Sequence, residues 1–209
     1  MRAETFFSAE QNAAIAAAIA EVESRTAGEV AVMVMDQSDT YPESRILAGI
    51  LLGGVSATVI TDRWFADSLW TLLPLAIGLA LFIGWGVGQL PAVQRLFIAK
   101  ARLEHMVCEQ AMQAFYDKGL YKTRDATGVL FFISLFERRV RLLADRGIYE
   151  KIPQQTLQEH AAAIALGIKQ GNAASALCRE IGRVGEILAR HFPVRPDDTN
   201  ELSNEVMLA

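Results

Sequence analysis

The sequence predicts an α/β protein: an α/β/α sandwich around a small mixed sheet, interrupted by a two-helix transmembrane hairpin. Two long apolar runs, at 46–61 and 69–90, are separated by only a few residues. Runs of Val, Met, Phe and Ile occur before and after this pair, as is typical of strands that are buried on both faces. Helical patterns with an apolar stripe stand next to these strands and supply the covering layers.

The two apolar runs predict membrane-spanning helices. The second run contains no ionisable residue over 69–90, which is long enough to cross a hydrocarbon core about 30 Å thick. The first run is shorter, and it can span if Arg45 extends to the headgroups and the bilayer thins locally. The alternative is a pair of buried core helices, but soluble domains rarely place two nearly uncharged helices back to back. We therefore expect an integral membrane protein.

An even number of crossings places residues 1–45 and 91–209 on the same side of the bilayer, so both can belong to one split domain. Removing the hairpin at 46–90 leaves roughly 160 residues, the size of one domain with a proper core. The charged residues within 1–25 exclude a signal peptide there. Basic residues near the membrane ends favour cytoplasmic termini. On the terminal side these are Arg45, Arg95, Lys100 and Arg102, against Arg63 in the connecting loop.

Before the hairpin, the sequence predicts one helix and one strand. Ser8 and Gln11 form a capping-box pattern at the start of an Ala-rich helix that is expected to end near 26–28. Its predicted apolar stripe consists of Ile15, Ile19 and Val22. Residues 29–36 are almost continuously apolar and predict a buried strand. A polar linker at 36–44 then leads into the first membrane helix.

After the hairpin, the predicted order is helix, strand, strand, helix, helix and an irregular tail from Pro193. A helix between the first two strands implies a right-handed parallel crossover, and a tight turn at Glu137 and Arg138 makes the third strand antiparallel to the second. Gly119 is expected to end the first of these helices, and Asn172 to cap the last. The predicted ranges are 94–118, 128–136, 139–144, 156–169 and 173–191.

Small residues recur at helical spacing in both apolar runs. The patterns Gly49-x-x-x-Gly53 and Gly84-x-x-x-Gly88 allow two backbones to approach closely. Either the two helices pack on each other through these glycines, or the glycines mediate dimerisation. Neither run has an interior charge, so a transport or proton-relay role has no support and the pair is expected to act as an anchor.

Composition narrows the function classes further. The net charge is −4, and no dense cluster of Lys and Arg indicates nucleic-acid binding. Cys108 and Cys178 are far apart in helical patterns, so we expect reduced core residues. A phosphatase needs a nucleophile or a metal-activated water, yet the sequence has no HExxH, P-loop or Cys-x5-Arg motif. The histidines His105, His160 and His191 are scattered on helices.

Three carboxylates form the candidate metal site: Glu29, Glu137 and Asp145. All three stand at or near predicted strand ends, which are common ligand-binding positions in α/β sheets. Carboxylate oxygens suit a hard cation such as Ca²⁺ or Mg²⁺. The alternative is that Asp145 forms a surface ion pair with Arg146, and that nearby arginines neutralise the carboxylates without a metal.

Three stretches together resemble the TPM-domain family, in its membrane-anchored bacterial branch. They are FSAEQNAAIAAAIAEVESRTAGEV at 6–29, TRDATGVLFFISLFERRVRLLADRGI at 123–148 and HFPVRPDDTNEL at 191–202. The resemblance implies an α/β/α sandwich. Family members have been linked to a weak acid phosphatase activity, to calcium binding and to the maintenance of membrane complexes. This chain has Asp145–Tyr149 where soluble members carry a Gly-Tyr-Gly-Leu-Glu-like stretch.

Residues and resemblance together lead us to expect an interaction or assembly module without assigned catalysis, tethered to the bacterial cytoplasmic membrane. Its expected partners are the lipid bilayer, other membrane proteins and a second copy of the chain, and nucleic acid is not among them. The alternatives are a weak metal-dependent acid phosphatase and a calcium-binding regulatory domain.

Overall fold

The computed structural model describes residues 2–65, 68–194 and 203–208. The chain forms two compact units. The first consists of Met1–Ser38 together with Glu104–Ala209, and the second of Asp39–Leu103. The second unit contains the apolar helices and extends beyond the expected hairpin at 46–90 on both sides. Its first helix already begins at Pro42.

A small mixed sheet forms the centre of the first unit, and the predicted mixed α/β class is confirmed. Its strands are β1 (Glu29–Met35), β2 (Gly128–Ser134), β3 (Arg139–Ala144) and β4 (Met207–Leu208). The sheet has the order β3-β2-β1-β4. β1 runs parallel to β2 and β4, while β3 runs antiparallel to β2. The prediction of an irregular tail is therefore wrong at β4, since a two-residue strand is too short to show alternation in sequence.

Two hydrophobic clusters lie on the two faces of the sheet. Alternate residues of a strand point to opposite faces, so β1 contributes Val32 to one cluster and Met33 to the other. The helices that cover the sheet are α1 (Ala9–Glu23), α4 (Lys100–Asp117), α5 (Gln154–Lys169) and α6 (Ala173–His191). The larger cluster includes buried side chains of α1, α5 and α6, and the smaller includes those of α4.

The predicted helix termini are only partly those of the structure. At α1 the capping box is confirmed: the Gln11 N–H donates to Ser8 Oγ over 3.2 Å, and the Ser8 N–H donates to Gln11 Oε1 over 2.9 Å. Gly119 follows α4 with a φ of 74°, as expected for a helix-ending glycine. The expected cap at Asn172 is wrong, because its side chain accepts no hydrogen bond from the N-terminus of α6.

The single helix predicted over 94–118 is also wrong. A helical turn at Pro91–Gln94 and a 3₁₀ turn at Arg95–Phe97 precede α4. Ile98 has extended backbone angles, with φ −113° and ψ 128°, which interrupts the helical hydrogen bonds before Lys100. Leu96, within the 3₁₀ turn, is 81% exposed and does not belong to the core. The apolar pattern did not reveal the break because it continues across the extended residue.

Two helices dominate the second unit, α2 (Pro42–Trp64) and α3 (Leu69–Gly88), and both are long and apolar enough to cross a membrane. A π-helical turn at Gly49–Gly53 lies within α2. Close contacts between the helices occur where they carry small residues. A Cβ on Gly53 would lie 2.6 Å from the Ala80 nitrogen, and one on Gly84 would lie 2.8 Å from the Arg45 oxygen. These glycines therefore pack the two helices of one chain against each other, which was one of the two predicted roles; the other was dimerisation.

Polar side chains tie together the two ends of the second unit. The Arg102 guanidinium donates to Asp39 Oδ2 over 2.7 Å and to Glu43 Oε1 over 3.2 Å. The buried Gln94 side chain donates to the Thr40 carbonyl over 3.3 Å. These contacts join the segment before α2 to the segment after α3, so the helix pair begins and ends at one place within its unit.

Gly185 in α6 should not tolerate a side chain, because a Cβ added there would collide with the buried, β-branched side chain of Val22 in α1. We expect Gly185→Ala to lower the free energy of unfolding by about 1–3 kcal/mol through overpacking. Gly182, on the same helix, has nothing within 4 Å of its Cβ position, so Gly182→Ala is the matched control. That control should raise the free energy of unfolding by about 0.5–1 kcal/mol. Denaturant titration of both variants measures the difference, and equal effects would contradict close packing at Gly185.

Candidate functional site

The three predicted metal ligands do not meet in the structure. Glu29 begins β1 and lies beside Gly128, the first residue of β2. Asp145 follows β3 at this same end of the strands, where its N–H donates to the Gly128 carbonyl over 2.9 Å. Glu137 follows the last residue of β2 and therefore lies at the opposite end of the strands. The prediction that all three converge is wrong, because the seven residues of β2 separate these two ends by about 20 Å.

Glu137 holds the turn between β2 and β3 to the segment that leaves β1. Its side chain is buried, and Oε1 accepts the Ser38 N–H over 2.8 Å. The Ser134 hydroxyl donates to Oε2, and the Ser38 and Ser134 hydroxyls lie 3.0 Å apart. Both carboxylate oxygens are thus engaged by the protein itself, which indicates a structural role for this residue.

Asp145 caps the one-turn helix Arg146–Tyr149. Its Oδ1 accepts the Arg146 N–H over 2.6 Å, while Oδ2 is buried with no hydrogen-bond partner in the described part of the chain. The Arg146 guanidinium donates instead to Glu150 Oε1 over 2.9 Å. The expected side-chain ion pair between Asp145 and Arg146 is therefore wrong, since the capping geometry directs the carboxylate toward the backbone.

Glu29 has a second carboxylate as its neighbour. Glu23, at the end of α1, accepts the Val30 N–H over 3.1 Å. Burial raises the pKa of Glu23 against the lowering effect of that hydrogen bond, and repulsion by Glu29 raises it further, to about 7. The Asn204 side chain, just before β4, also hydrogen bonds to this carboxyl. The sequence did not indicate this pair, because Glu23 lies on the predicted helix and Glu29 on the strand that follows it.

Across residues 2–65, 68–194 and 203–208, no group of three or more His, Cys, Asp or Glu side chains is arranged to hold a metal ion. The residues proposed for Ca²⁺ or Mg²⁺ thus do not fit one shared site. Binding of a cation at any of them separately remains a prediction.

A buried carboxylate joins α5 to α6. Glu180 accepts from Arg183 over 3.0 Å and from Arg179 over 3.1 Å, and it lies 2.8 Å from His160 Nδ1. Burial alone would raise the pKa of Glu180, but His160 and the two arginines outweigh it and hold that pKa below its usual value. Because each oxygen already has protein partners, we assign this network to helix packing.

A groove of about 470 Å³ lies beside the sheet and was not predicted from the sequence. It follows β3, which lies at the end of the sheet order, and passes between α4 and α5. The residues that line it are Glu104, Val107, Cys108, Arg138, Arg139, Val140, Arg141, Leu142, Leu143, Gln154, Gln158, Ala161, Ala162 and Ala165. All of them belong to the first unit.

Positive charge distinguishes this groove. Arg138, Arg139 and Arg141 line it, against the single carboxylate of Glu104, which pairs with Arg139 over 2.9 Å. Arginines at alternate positions of a strand were visible in the sequence as Arg-Val-Arg at 139–141. What the sequence did not show is that α4 and α5 stand beside this terminal strand, which makes its arginines part of a groove.

The raised pKa of Glu23 should make stability depend on pH. The folded protein holds this proton up to about pH 7, whereas the unfolded chain loses it near 4.5. The contribution of Glu23 to the free energy of unfolding should therefore be largest below about pH 4.5 and be lost as the pH rises through about 7. Glu23→Gln should remove this dependence, so the variant should gain stability over wild type across that window. Thermal melts from pH 4 to pH 8 measure the two slopes.

Glu10→Gln provides the matched control, because Glu10 lies exposed in the first turn of the same helix. Its slope should follow that of the wild-type protein. Identical slopes for the wild-type protein and Glu23→Gln would show that the carboxyl pair does not hold a proton at neutral pH.

No protein-family model and no curated protein matches this sequence. Among solved structures, the chain is similar to the NMR structure of the BA42 protein from the psychrophilic bacterium Bizionia argentinensis. The two share 22% sequence identity and superpose with a TM-score of 0.62, over 99% of this chain and 97% of that one. At this identity the likeness establishes a shared fold and nothing about activity.

Proposed function

We propose that this protein is a membrane-tethered interaction module of the bacterial cytoplasmic membrane. In this proposal α2 and α3 form a transmembrane hairpin, the first unit is an α/β/α sandwich of the TPM-domain type, and both termini are cytoplasmic. The observation that carries the proposal is the exposure of the apolar side chains on the helix pair.

Large apolar side chains cover the outside of both helices. Trp70 is 90% exposed, and only 6% of the apolar span of α3 is buried. Water-soluble proteins rarely expose apolar patches beyond a few hundred Å². Lipid removes this penalty, because the hydrocarbon core is as apolar as the side chains themselves. Other exposed apolar residues of the pair are Ile46, Ile50, Val55, Val59, Leu73, Ile77, Leu81, Phe82 and Trp85.

Aromatic residues lie at the connection between the two helices, as expected for a membrane interface. Trp64 ends α2 and is 72% exposed, Phe65 follows it, and Trp70 lies in the first turn of α3. Such amphipathic rings prefer the headgroup level. At the other end of the pair stand Arg45 and the basic residues that follow α3, which support the cytoplasmic orientation.

The interaction role rests on the first unit. Its groove is open, cationic and bounded by two helices, and the buried polar clusters around Glu137 and Glu180 are already satisfied by the protein. A membrane anchor raises the local concentration of such a surface near other membrane-bound chains. Together these features favour binding of a membrane-associated partner over catalysis.

Reporter fusions test the topology. A reporter that is active only in the cytoplasm should work after Gln37 and after residue 209, and should fail when inserted within 66–67. The reciprocal periplasmic reporter should give the opposite pattern. Periplasmic activity at the terminal fusions would reverse the orientation, and cytoplasmic activity at 66–67 would exclude the hairpin.

Photocrosslinking in intact membranes tests the interaction role. A photoreactive residue at Gln158, which lines the groove, should yield a discrete adduct with a second protein. The same residue at Gln113, an exposed position of α4 outside the groove, is the control and should not. Adducts at neither position, with the protein correctly inserted, would contradict an interaction role for this groove.

A further inference from the structure

We infer that the groove along β3 binds an extended acidic peptide segment by strand addition, with the segment pairing to the outer edge of β3, which ends the sheet in the part of the chain that the structure describes. This inference rests on the proposed interaction role and specifies the chemistry of the partner. Three features of the groove carry it: the direction of the β3 backbone groups, the side chains of its two walls, and its charge.

The backbone of β3 directs hydrogen-bonding groups into the groove. The bond from the Asp145 N–H to the Gly128 carbonyl identifies the residues that pair with β2, and in an antiparallel pair these alternate. Leu143, Arg141 and Arg139 therefore bond to β2, and the groups of Val140 and Leu142 point away from it. Ala144 confirms this alternation, because its N–H donates to the Tyr149 hydroxyl over 3.3 Å rather than to β2.

An outward-pointing edge of this kind accepts a further strand. Edge strands present a row of backbone donors and acceptors, and extended peptides add to such edges in several recognition modules. β3 spans Arg139–Ala144, and Tyr149 already accepts the Ala144 N–H. The open part of the edge is therefore about 17 Å long and matches a segment of about five residues.

The two walls of the groove differ in the side chains that they present. On the α5 side lie Ala161, Ala162 and Ala165, which leave room for small or medium apolar groups. Val140 and Leu142 pack into the cluster on this face of the sheet. Side chains of an added strand alternate between faces, so every second residue of the segment would meet this apolar wall.

The α4 side of the groove carries the charge. Arg139 and Arg141 lie on this face of β3, as shown by the contact from Arg139 to Glu104 of α4. Arg138 precedes them with its side chain exposed. Glu104 offsets one of the three positive charges. The remaining residues of an added strand would face these arginines, so carboxylates at alternate positions fit best.

The probe is a capped hexapeptide in which Glu alternates with Val, labelled with a fluorophore and titrated with the full-length protein in detergent micelles. We expect saturable binding that weakens as salt is added. The same peptide with Lys in place of Glu should bind at least about tenfold more weakly, because like charges would face the arginines.

Arg141→Gln should weaken binding of the Glu peptide about three- to fivefold, the effect of one partly exposed ion pair. Arg146→Gln is the matched control, because Arg146 is exposed and lies outside the groove, and it should leave the affinity unchanged. Circular dichroism of both variants confirms that each is folded.

Backbone methylation of the probe tests strand addition without altering the protein. Methylating the amides of either alternate set leaves the side chains and their charge in place. Only the peptide amides that face β3 donate hydrogen bonds to its backbone carbonyls. Methylating that set should weaken binding at least about tenfold, and methylating the other set should leave the affinity of the unmethylated peptide unchanged.

Equal binding of the Glu and Lys peptides would overturn the acidic specificity. Tolerance of methylation in both sets, or no binding at millimolar peptide, would overturn strand addition. If the photoreactive residue at Gln158 still crosslinks to a second protein, these results would exclude only an acidic strand as the partner. The proposed interaction role would then still be supported by the crosslink. Loss of both the crosslink and peptide binding would contradict the proposed function itself.

Discussion

The parallel pairing of β1 with β2 is the constraint on which the first unit depends. Glu29–Met35 lie in register with Gly128–Ser134, and both strands are buried along nearly their whole length. Each strand therefore needs an apolar layer on both of its faces. This requirement recruits α1, α5 and α6 to one face and α4 to the other, and it leaves β3 and β4 as the two edges.

Much of this arrangement follows from local sequence. Strong apolar runs located β1 and β2, and the tight connection at Glu137 and Arg138 placed β3 antiparallel to β2. Signals that depend on one or two residues were not visible in advance. Met207 and Leu208 are too few to show a period of two, and Ile98 breaks a helix while keeping its apolar character.

The error at the predicted metal site has a different origin. Glu29 begins one strand and Glu137 follows the next, and in a parallel pair the start of one strand lies beside the start of the other. Parallel pairing of β1 with β2 therefore requires the two carboxylates to lie at opposite ends of the strands. Conversely, the predicted topology already placed β3 at the end of the sheet, but the groove also depends on the helices beside it, and the strand itself does not encode these.

The position of the helix pair between β1 and β2 also sets the order of events during synthesis. β1 leaves the ribosome before α2 and α3, but its partner β2 follows only after both helices and α4. Until then β1 exposes apolar surface and an unpaired edge, which are the features that invite aggregation. In the proposed membrane hairpin, early insertion of α2 and α3 would keep β1 beside the bilayer until β2 is made. Chains that stall before β2 should be targets for chaperones and proteases.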